Sequence, residues 1–192
     1  MITCLEMNIR AIGNALFEFA TLFGVGKKLG LDIRIPTGKD HIHEPTGQKI
    51  WQLKDIFEIQ IPNITQEETN NIKYSYIEKR KEYNPEIWSE VKDNTNLIGF
   101  FQAEDYFNHC QDELKKELIF KKYWIDKAKN KFNELGLHNY MSDCVSIHIR
   151  RGDYMSPHLQ PFLPLLPIQY YAEAINIILK DNPYSRLLLF SS

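Results

Sequence analysis

The segment Val145-Ser-Ile-His-Ile-Arg-Arg-Gly-Asp-Tyr154 has the pattern of a β-strand that ends in two arginines, a glycine and an aspartate. Apolar residues at 145, 147 and 149 alternate with Ser146 and His148, and a period of two is that of a strand. In open α/β sheets, ligands bind beyond the carboxyl ends of the strands. The segment therefore predicts an α/β fold with two guanidinium groups at the ligand-binding edge of its sheet.

The residue types after this strand suit a phosphorylated ligand. A guanidinium group binds phosphate through two parallel hydrogen bonds, so Arg150 and Arg151 together could neutralise most of a pyrophosphate. Gly152 allows a tight turn behind them, and Asp153 can orient one arginine. His148 precedes Arg150 by two positions on the same face, where it can touch nucleoside or phosphate. The alternatives are a surface Arg–Asp pair, which contributes little stability, and a core histidine.

The composition is that of an ordinary globular protein. With 192 residues, 43% of them hydrophobic, the chain can bury a core and form one large or two small domains. A formal net charge of −2 gives no sign of a nucleic-acid-binding surface. Three widely spaced cysteines without a C-x-x-C pattern indicate a reducing compartment and argue against disulfides or a thiolate zinc site. Without a recognisable signal peptide or an apolar run of membrane-spanning length, we expect a cytoplasmic protein.

The start of the chain has the form of an anion-binding turn. Residues 1–7 predict a short strand with Ile2 and Cys4 buried. After Gly13-Asn14, apolar residues at 16, 19, 20 and 23 recur at helical spacing, and Gly30 ends the predicted helix. The first amides of a helix lack helical partners and lie at the positive end of its dipole. Gly13 and Asn14 are therefore candidate phosphate ligands.

The other patterns along the chain alternate between strand and helix. We predict a strand at 31–35, a short helix within 50–61, a helix from Asn84-Pro85, a strand turning into a helix over 97–118, helices at 125–135 and 168–180, and a buried parallel strand at 186–192. Residues 66–81 are polar and poorly patterned, which predicts a variable excursion. His41 and His43 lack a third ligand in the sequence, so they do not predict a metal site.

Three of these segments resemble the α-1,2-fucosyltransferases of glycosyltransferase family 11. The strand ending in His-Ile-Arg-Arg-Gly-Asp-Tyr154 is similar to the family's donor-binding motif. Residues 13–20 are similar to the family's opening Gly-Asn-Gln-Met-Phe-Gln-Tyr-Ala, with departures at Arg10, Ala11 and Ala15. The segment 99–107 matches the family's Gly-Tyr-Phe-Gln-Ser-Glu-x-Tyr-Phe at six positions, and we expect it to serve catalysis or packing between domains.

The resemblance implies an α/β, GT-B-like, two-lobed fold. We expect an N-terminal α/β domain at residues 1–140, on the acceptor side and carrying the Gly13-Asn14 turn. The start of a Rossmann-like domain that binds GDP-fucose would follow at 141–192. Family members continue from the last strand into a pair of aspartates. We therefore expect a C-terminally incomplete copy, with the donor domain only partly present and little transferase activity of its own.

The resemblance also implies the activity, an inverting transfer of L-fucose from GDP-fucose to a galactose-type hydroxyl of a glycan in α-1,2 linkage. The implied donor-binding residues are His148, Arg150, Arg151, Gly13 and Asn14. Arg150 is the candidate for stabilising the leaving oxygen, and Asp153 either orients an arginine or acts as general base. Because the sequence contains no Asp-x-Asp motif, we expect neither a metal nor another cofactor. The expected partners are GDP-fucose and a glycan acceptor, with peripheral association at the inner membrane face as an alternative to a purely cytoplasmic location.

Three other functions stay open. One is an inactive protein that binds a nucleotide sugar without transferring it. Another is a protein O-fucosyltransferase or an α-1,6-fucosyltransferase, which carry similar His-x-Arg-Arg segments. The third is an adhesion ligand, because Arg151-Gly-Asp153 spells an integrin-type tripeptide, although that motif requires an exposed flexible loop and here adjoins an apolar strand.

Overall fold

The computed structural model describes residues 1–9, 11–36, 41–43, 48–50, 52–137, 141–158, 161 and 164–191. The chain divides into two compact units, Met1–Ile125 and Asp126–Ser192. The domain boundary expected after residue 140 stays a prediction, and the division between the two compact units falls within the helix Lys122–Glu134. Phe132 on that helix and Leu135 just after it line one apolar groove with residues 187–190 of the last strand. The later part of the helix therefore packs with the second unit.

The first unit combines one long helix with short elements. In chain order these are β1 (Ile2–Thr3), α1 (Ile12–Leu29), β2 (His41–His43), β3 (Gln48–Ile50), α2 (Leu53–Ile56), α3 (Gln66–Asn70), β4 (Tyr74–Ile77), α4 (Ile87–Glu90), β5 (Thr95–Ile98) and α5 (Gln111–Glu117). Strands β1, β5 and β4 form a parallel sheet in that order, and β2 pairs antiparallel with β3. The predicted strand at 31–35 is reduced to single bridges at Ile33 and Ile35.

Helix α1 supplies much of the core of the first unit. Its Phe19, Leu22 and Val25 are fully buried, as the helical spacing of apolar residues leads one to expect. Packing requires glycine at position 24 of this helix, because a Cβ there would collide with the carbonyl oxygen of Tyr106. The helix ends at Gly30, whose φ of 65° is left-handed, and the predicted C-terminal glycine is thus confirmed.

Residues 66–81 are better ordered than the sequence predicts, since they form α3 and β4. Helix α3 begins with a capping box, in which the Thr65 hydroxyl accepts from the Glu68 amide at 3.1 Å and the Glu68 carboxylate accepts from the Thr65 amide at 2.9 Å. Strand β4 lies at the edge of the sheet, and Tyr76 is its buried residue. With a single buried side chain among four residues, β4 offers no alternation to detect.

The second unit contains a β-α-β arrangement. Helix α6 (Lys122–Glu134) precedes it, and strand β6 (Cys144–Ile149), helix α7 (Ile168–Asp181) and strand β7 (Arg186–Ser191) follow, at bounds close to the predicted ones. Strands β6 and β7 are parallel, with Cys144 opposite Arg186 and Ile149 opposite Ser191. The prediction that the last strand is buried is wrong, because Leu189 is 66% and Phe190 53% exposed. Among the described residues, β7 pairs only with β6, so one of its edges is uncovered.

Candidate functional site

Strand β6 presents its two faces to different surroundings. The apolar residues at 145, 147 and 149 are half-buried, whereas Ser146 and His148 are exposed. Arg150 follows directly after the strand and is exposed as well. His148 and Arg150 therefore share the exposed side at the carboxyl end of β6, and His148 does not occupy a buried core position.

The chain turns back on itself after β6 and brings an aromatic ring to Arg150. The Met155 amide donates to the carbonyl oxygens of Arg151 and Gly152 at 2.9 and 3.2 Å, which closes a short 3-10 turn at Asp153–Met155. This turn places the ring of Tyr154 4.2 Å from the guanidinium carbon of Arg150. Stacking of this kind holds the plane of a guanidinium group against the ring. Tyr154 belongs to the sequence motif, but its residue type alone does not predict this contact.

Arg151 has a different partner, supplied by the proline-containing loop. Its side chain is half-buried, and one terminal nitrogen donates to the carbonyl oxygen of Leu166 at 3.3 Å. Leu166 lies two residues before α7, so this bond ties the strand end to the start of the crossover helix. Of the two arginines, Arg150 is exposed and Arg151 half-buried. No local sequence signal identifies a carbonyl acceptor 15 residues away.

Asp153 was predicted either to orient an arginine or to act as a base. Its backbone forms the first residue of the 3-10 turn. Its side chain lies outside the described part of the structure, so both roles stay predictions. The side chains of His41 and His43, which were considered and rejected as metal ligands, lie outside it as well.

Gly13 and Asn14, the phosphate candidates of the first unit, lie in the first turn of α1. The first helical hydrogen bond runs from the Ala15 amide to the Ala11 carbonyl oxygen at 3.0 Å, so the amides of residues 12–14 precede the helical pattern. A Cβ built on Gly13 would meet no atom within 4 Å, and its φ is not left-handed. Neither packing nor backbone conformation therefore requires glycine at this position.

Asn14 is bonded to a residue that sequence reasoning did not connect with it. Gln102 donates from its Nε2 to the Oδ1 of Asn14 at 2.9 Å across 88 positions of sequence. The segment 99–107 was expected to serve catalysis or packing between domains, and the structure shows packing contacts within the first unit. Phe101 is fully buried there, and Phe107 lies 6.4 Å from the ring of Phe17 on α1.

The described ranges contain neither a cluster of metal-binding side chains nor a membrane-spanning helix. No three side chains of histidine, cysteine, aspartate or glutamate come together there in a way that could hold a metal ion. No helix among those residues has the length and apolar character needed to cross a bilayer. Cys4, Cys110 and Cys144 are not joined by disulfide bonds.

The second unit has the arrangement of an α/β protein. A parallel β-α-β unit presents exposed Arg150 and His148 at the carboxyl end of β6, which is the edge where α/β sheets bind ligands. The chain belongs to the family described as Glycosyl transferase family 11, whose sequence model matches residues 4–192. The resemblance inferred from the three segments is thereby confirmed.

Individual relatives are distant. The chain is 24% identical over 160 residues to galactoside alpha-(1,2)-fucosyltransferase 2 of Pongo pygmaeus and to that of Bos taurus, in each case covering 80% of this chain and 41% of the relative. It is 29% identical over 108 residues to the O-antigen biosynthesis glycosyltransferase WbnK of Escherichia coli, covering 53% of this chain and 34% of the relative. The chain thus spans well under half the length of these relatives. No solved structure matches it significantly.

Proposed function

We propose that this protein is an inverting α-1,2-fucosyltransferase that moves L-fucose from GDP-fucose to a galactose hydroxyl of a glycan. Family membership supports glycosyl transfer, and two of the relatives are named as galactoside alpha-(1,2)-fucosyltransferases. The observation that carries the proposal in the structure is the exposed Arg150 at the carboxyl end of β6, stacked on Tyr154. We further propose a GT-B-like fold in which the second unit belongs to the Rossmann-like donor lobe.

The proposed reaction needs positive charge where the donor breaks. The acceptor oxygen attacks the anomeric carbon of fucose from the face opposite the diphosphate, the bond from that carbon to the phosphate oxygen breaks, and GDP leaves with the electron pair. Negative charge therefore grows on the departing oxygen, and donors already aimed at that position stabilise the transition state. Arg150 is placed to supply such donors, since Tyr154 fixes its plane and its side chain is exposed.

The other candidates take supporting roles in this proposal. Arg151, tied to the Leu166 carbonyl, contributes a second positive charge, and His148 contacts the phosphate or the nucleoside. Gly13 and Asn14 bind the pyrophosphate through the first turn of α1. The proton of the acceptor hydroxyl passes to a base, for which Asp153 is the candidate. Because the arginines supply the charge that Asp-x-Asp enzymes obtain from a cation, we propose that transfer is independent of metal.

The test is made in a protein extended to the full length of the relatives, and it replaces Arg150 by lysine, which keeps the charge but loses the planar fork. Removing one preorganised donor to developing charge typically lowers turnover by about 10²–10³. Arg150→Lys should therefore reduce kcat for transfer from GDP-fucose to a galactoside strongly, and should weaken GDP binding far less. The measurements are steady-state kinetics, GDP affinity by calorimetry and a thermal melt.

Arg186→Lys is the matched control. Arg186 is an exposed arginine of the same two-stranded sheet, but it lies opposite Cys144 at the amino end of β6. The control should leave kcat and GDP affinity unchanged. A folded Arg150→Lys protein with wild-type turnover would refute the assignment. GDP binding without any transfer by the wild type would instead favour the inactive nucleotide-sugar-binding alternative.

A further inference from the structure

The hydrogen bond between Gln102 and Asn14 suggests a role for Gln102 that depends on the function proposed above. We propose that Gln102 is a positioning residue, which fixes the side-chain amide of Asn14 so that its N–H groups face the pyrophosphate of the donor. The two side chains meet at 2.9 Å, with Gln102 exposed and Asn14 half-buried. The bond joins the first turn of α1 to the segment that follows β5.

The chemistry of the amide explains why a partner matters. Asparagine carries one acceptor oxygen and two N–H donors on the same planar group, and rotation by half a turn exchanges them. A phosphate accepts hydrogen bonds, so it is bound by the N–H end and repelled by the oxygen end. Because Gln102 donates to Oδ1, the oxygen end of Asn14 is already engaged and Nδ2 is left for a ligand. Gln102 thereby selects the orientation that suits an anion.

The backbone before Gln102 is held firmly enough for this task. Both oxygens of the Glu78 carboxylate accept from consecutive amides, those of Phe100 at 2.7 Å and of Phe101 at 3.0 Å. Phe101 has a left-handed φ of 50°, which a residue with a side chain adopts only where its surroundings impose it. It is fully buried, with the rings of Tyr76 and Tyr106 at 6.3 and 5.8 Å. Gln102 therefore extends from a fixed point.

Gly99 shows how closely Glu78 approaches this loop. Its φ of 153° is in the region that favours glycine, and a Cβ there would overlap the side chain of Glu78. The glycine thus lets the carboxylate reach the two amides beyond it. The segment 99–107, which matches the family, has two roles in this proposal. It places Gln102 against Asn14, and it packs the core.

Two substitutions at position 102 separate this role from simple packing. In Gln102→Leu the amide of Asn14 is no longer oriented, and GDP affinity should fall by about three- to tenfold, the size expected for one modest hydrogen bond. In Gln102→Glu the new carboxylate can only accept, so it draws the N–H end of Asn14 toward itself. The oxygen end then faces the phosphate, and GDP affinity should fall by more than in Gln102→Leu. Neither change should lower the melting temperature much, because the side chain is exposed.

Gln66→Glu is the matched control for charge and chemistry. Gln66 is also exposed and also donates from Nε2 to an asparagine Oδ1, that of Asn70 at 3.0 Å on α3. The same change in net charge at this second glutamine–asparagine pair should leave GDP affinity as in the wild type. A double-mutant cycle completes the design, because Gln102→Leu should have no further effect once Asn14 is replaced by alanine. A merely structural role of Gln102 would not depend on Asn14 in this way.

The outcomes distinguish this inference from the function on which it rests. If Arg150→Lys impairs transfer while both Gln102 variants bind GDP like the wild type, the positioning role is wrong and the donor assignment stands. Equal effects of Gln102→Leu with and without Asn14 overturn the positioning role too. If a wild-type protein extended to the full length of the relatives binds neither GDP nor GDP-fucose, both the proposed function and this inference fall.

Discussion

Replacing Gly13 by alanine tests whether glycine at this position serves the fold or the binding of a ligand. A Cβ at this position meets no atom within 4 Å, and the backbone is not left-handed, so the fold tolerates alanine. Replacing glycine by alanine at a compatible site stabilises a protein by about 0.4–1 kcal/mol, chiefly because the unfolded chain loses freedom. For a chain of this length, 1 kcal/mol corresponds to a rise in Tm of roughly 2–4 °C.

Donor binding should change in the opposite direction. In an α-helix the Cα–Cβ bond tilts toward the amino end, so the new methyl group would point toward an anion bound at the start of α1. An amide-to-phosphate hydrogen bond requires the oxygen at about 2.9 Å from the nitrogen, and a crowding methyl group would lengthen or break it. Loss of one hydrogen bond to a charged group costs about 1.5–3 kcal/mol, which is roughly ten- to a hundredfold in affinity.

The assay pairs thermal melts with GDP titration for Gly13→Ala and for Gly24→Ala as a packing control. Because a Cβ on Gly24 would collide with the Tyr106 carbonyl, that variant should lose about 1–3 kcal/mol of stability. Gly13→Ala should instead melt at a higher temperature and bind GDP more weakly. Unchanged GDP affinity together with a raised Tm would refute the phosphate role of Gly13 while leaving the description of α1 intact.

Two further predictions concern metal and pH. A protein extended to the full length of the relatives should transfer fucose unimpaired in excess EDTA, and a loss of activity that Mg²⁺ or Mn²⁺ restores would contradict the role given to the arginines. Burial raises the pKa of Tyr76 to about 12, above the value near 10 of an unfolded tyrosine, so stability should be lost as pH rises between these values. Tyr76→Phe should lessen that alkaline loss in urea unfolding and should raise stability at pH 7 by up to about 1 kcal/mol, because the buried hydroxyl has no hydrogen-bond partner among the described residues. A less stable phenylalanine variant would count against this account.

The elements that could be predicted from sequence are those in which buried and exposed residues alternate with a regular period. Strand β6 and helix α7 were expected at 144–149 and 168–180, and the structure has them at Cys144–Ile149 and Ile168–Asp181. Both have a regular division into a more buried and a more exposed face, which periodicity detects. Strand β4 was missed because Tyr76 alone is buried in it, and β7 was wrongly expected to be buried because apolar composition does not reveal which neighbours cover a strand.

The candidate site was predictable in residue type but not in its contacts. His148, Arg150 and Arg151 stand out in the sequence because they follow an alternating strand. Their partners do not, since a carbonyl oxygen such as that of Leu166 has no residue signature. The pairing of Gln102 with Asn14 joins segments 88 positions apart, and it depends on how β5 and α1 pack rather than on either local pattern. Both segments resemble the same family, which marks both as important to it. That resemblance does not predict a contact between them.

The contact of Arg150 with Tyr154 gives this arginine a neighbour that is not a carboxylate. A carboxylate that holds a guanidinium group does so through its N–H donors and offsets its positive charge, which weakens the same group toward a phosphate. An aromatic ring contacts the face of the guanidinium plane, and stacking leaves the donors at its edge directed outward. The Tyr154 ring, with its centroid 4.2 Å from the guanidinium carbon, can hold Arg150 in place through such a contact. The tyrosine that ends the motif can therefore prepare Arg150 for an anionic leaving group whichever of its two predicted roles Asp153 fills.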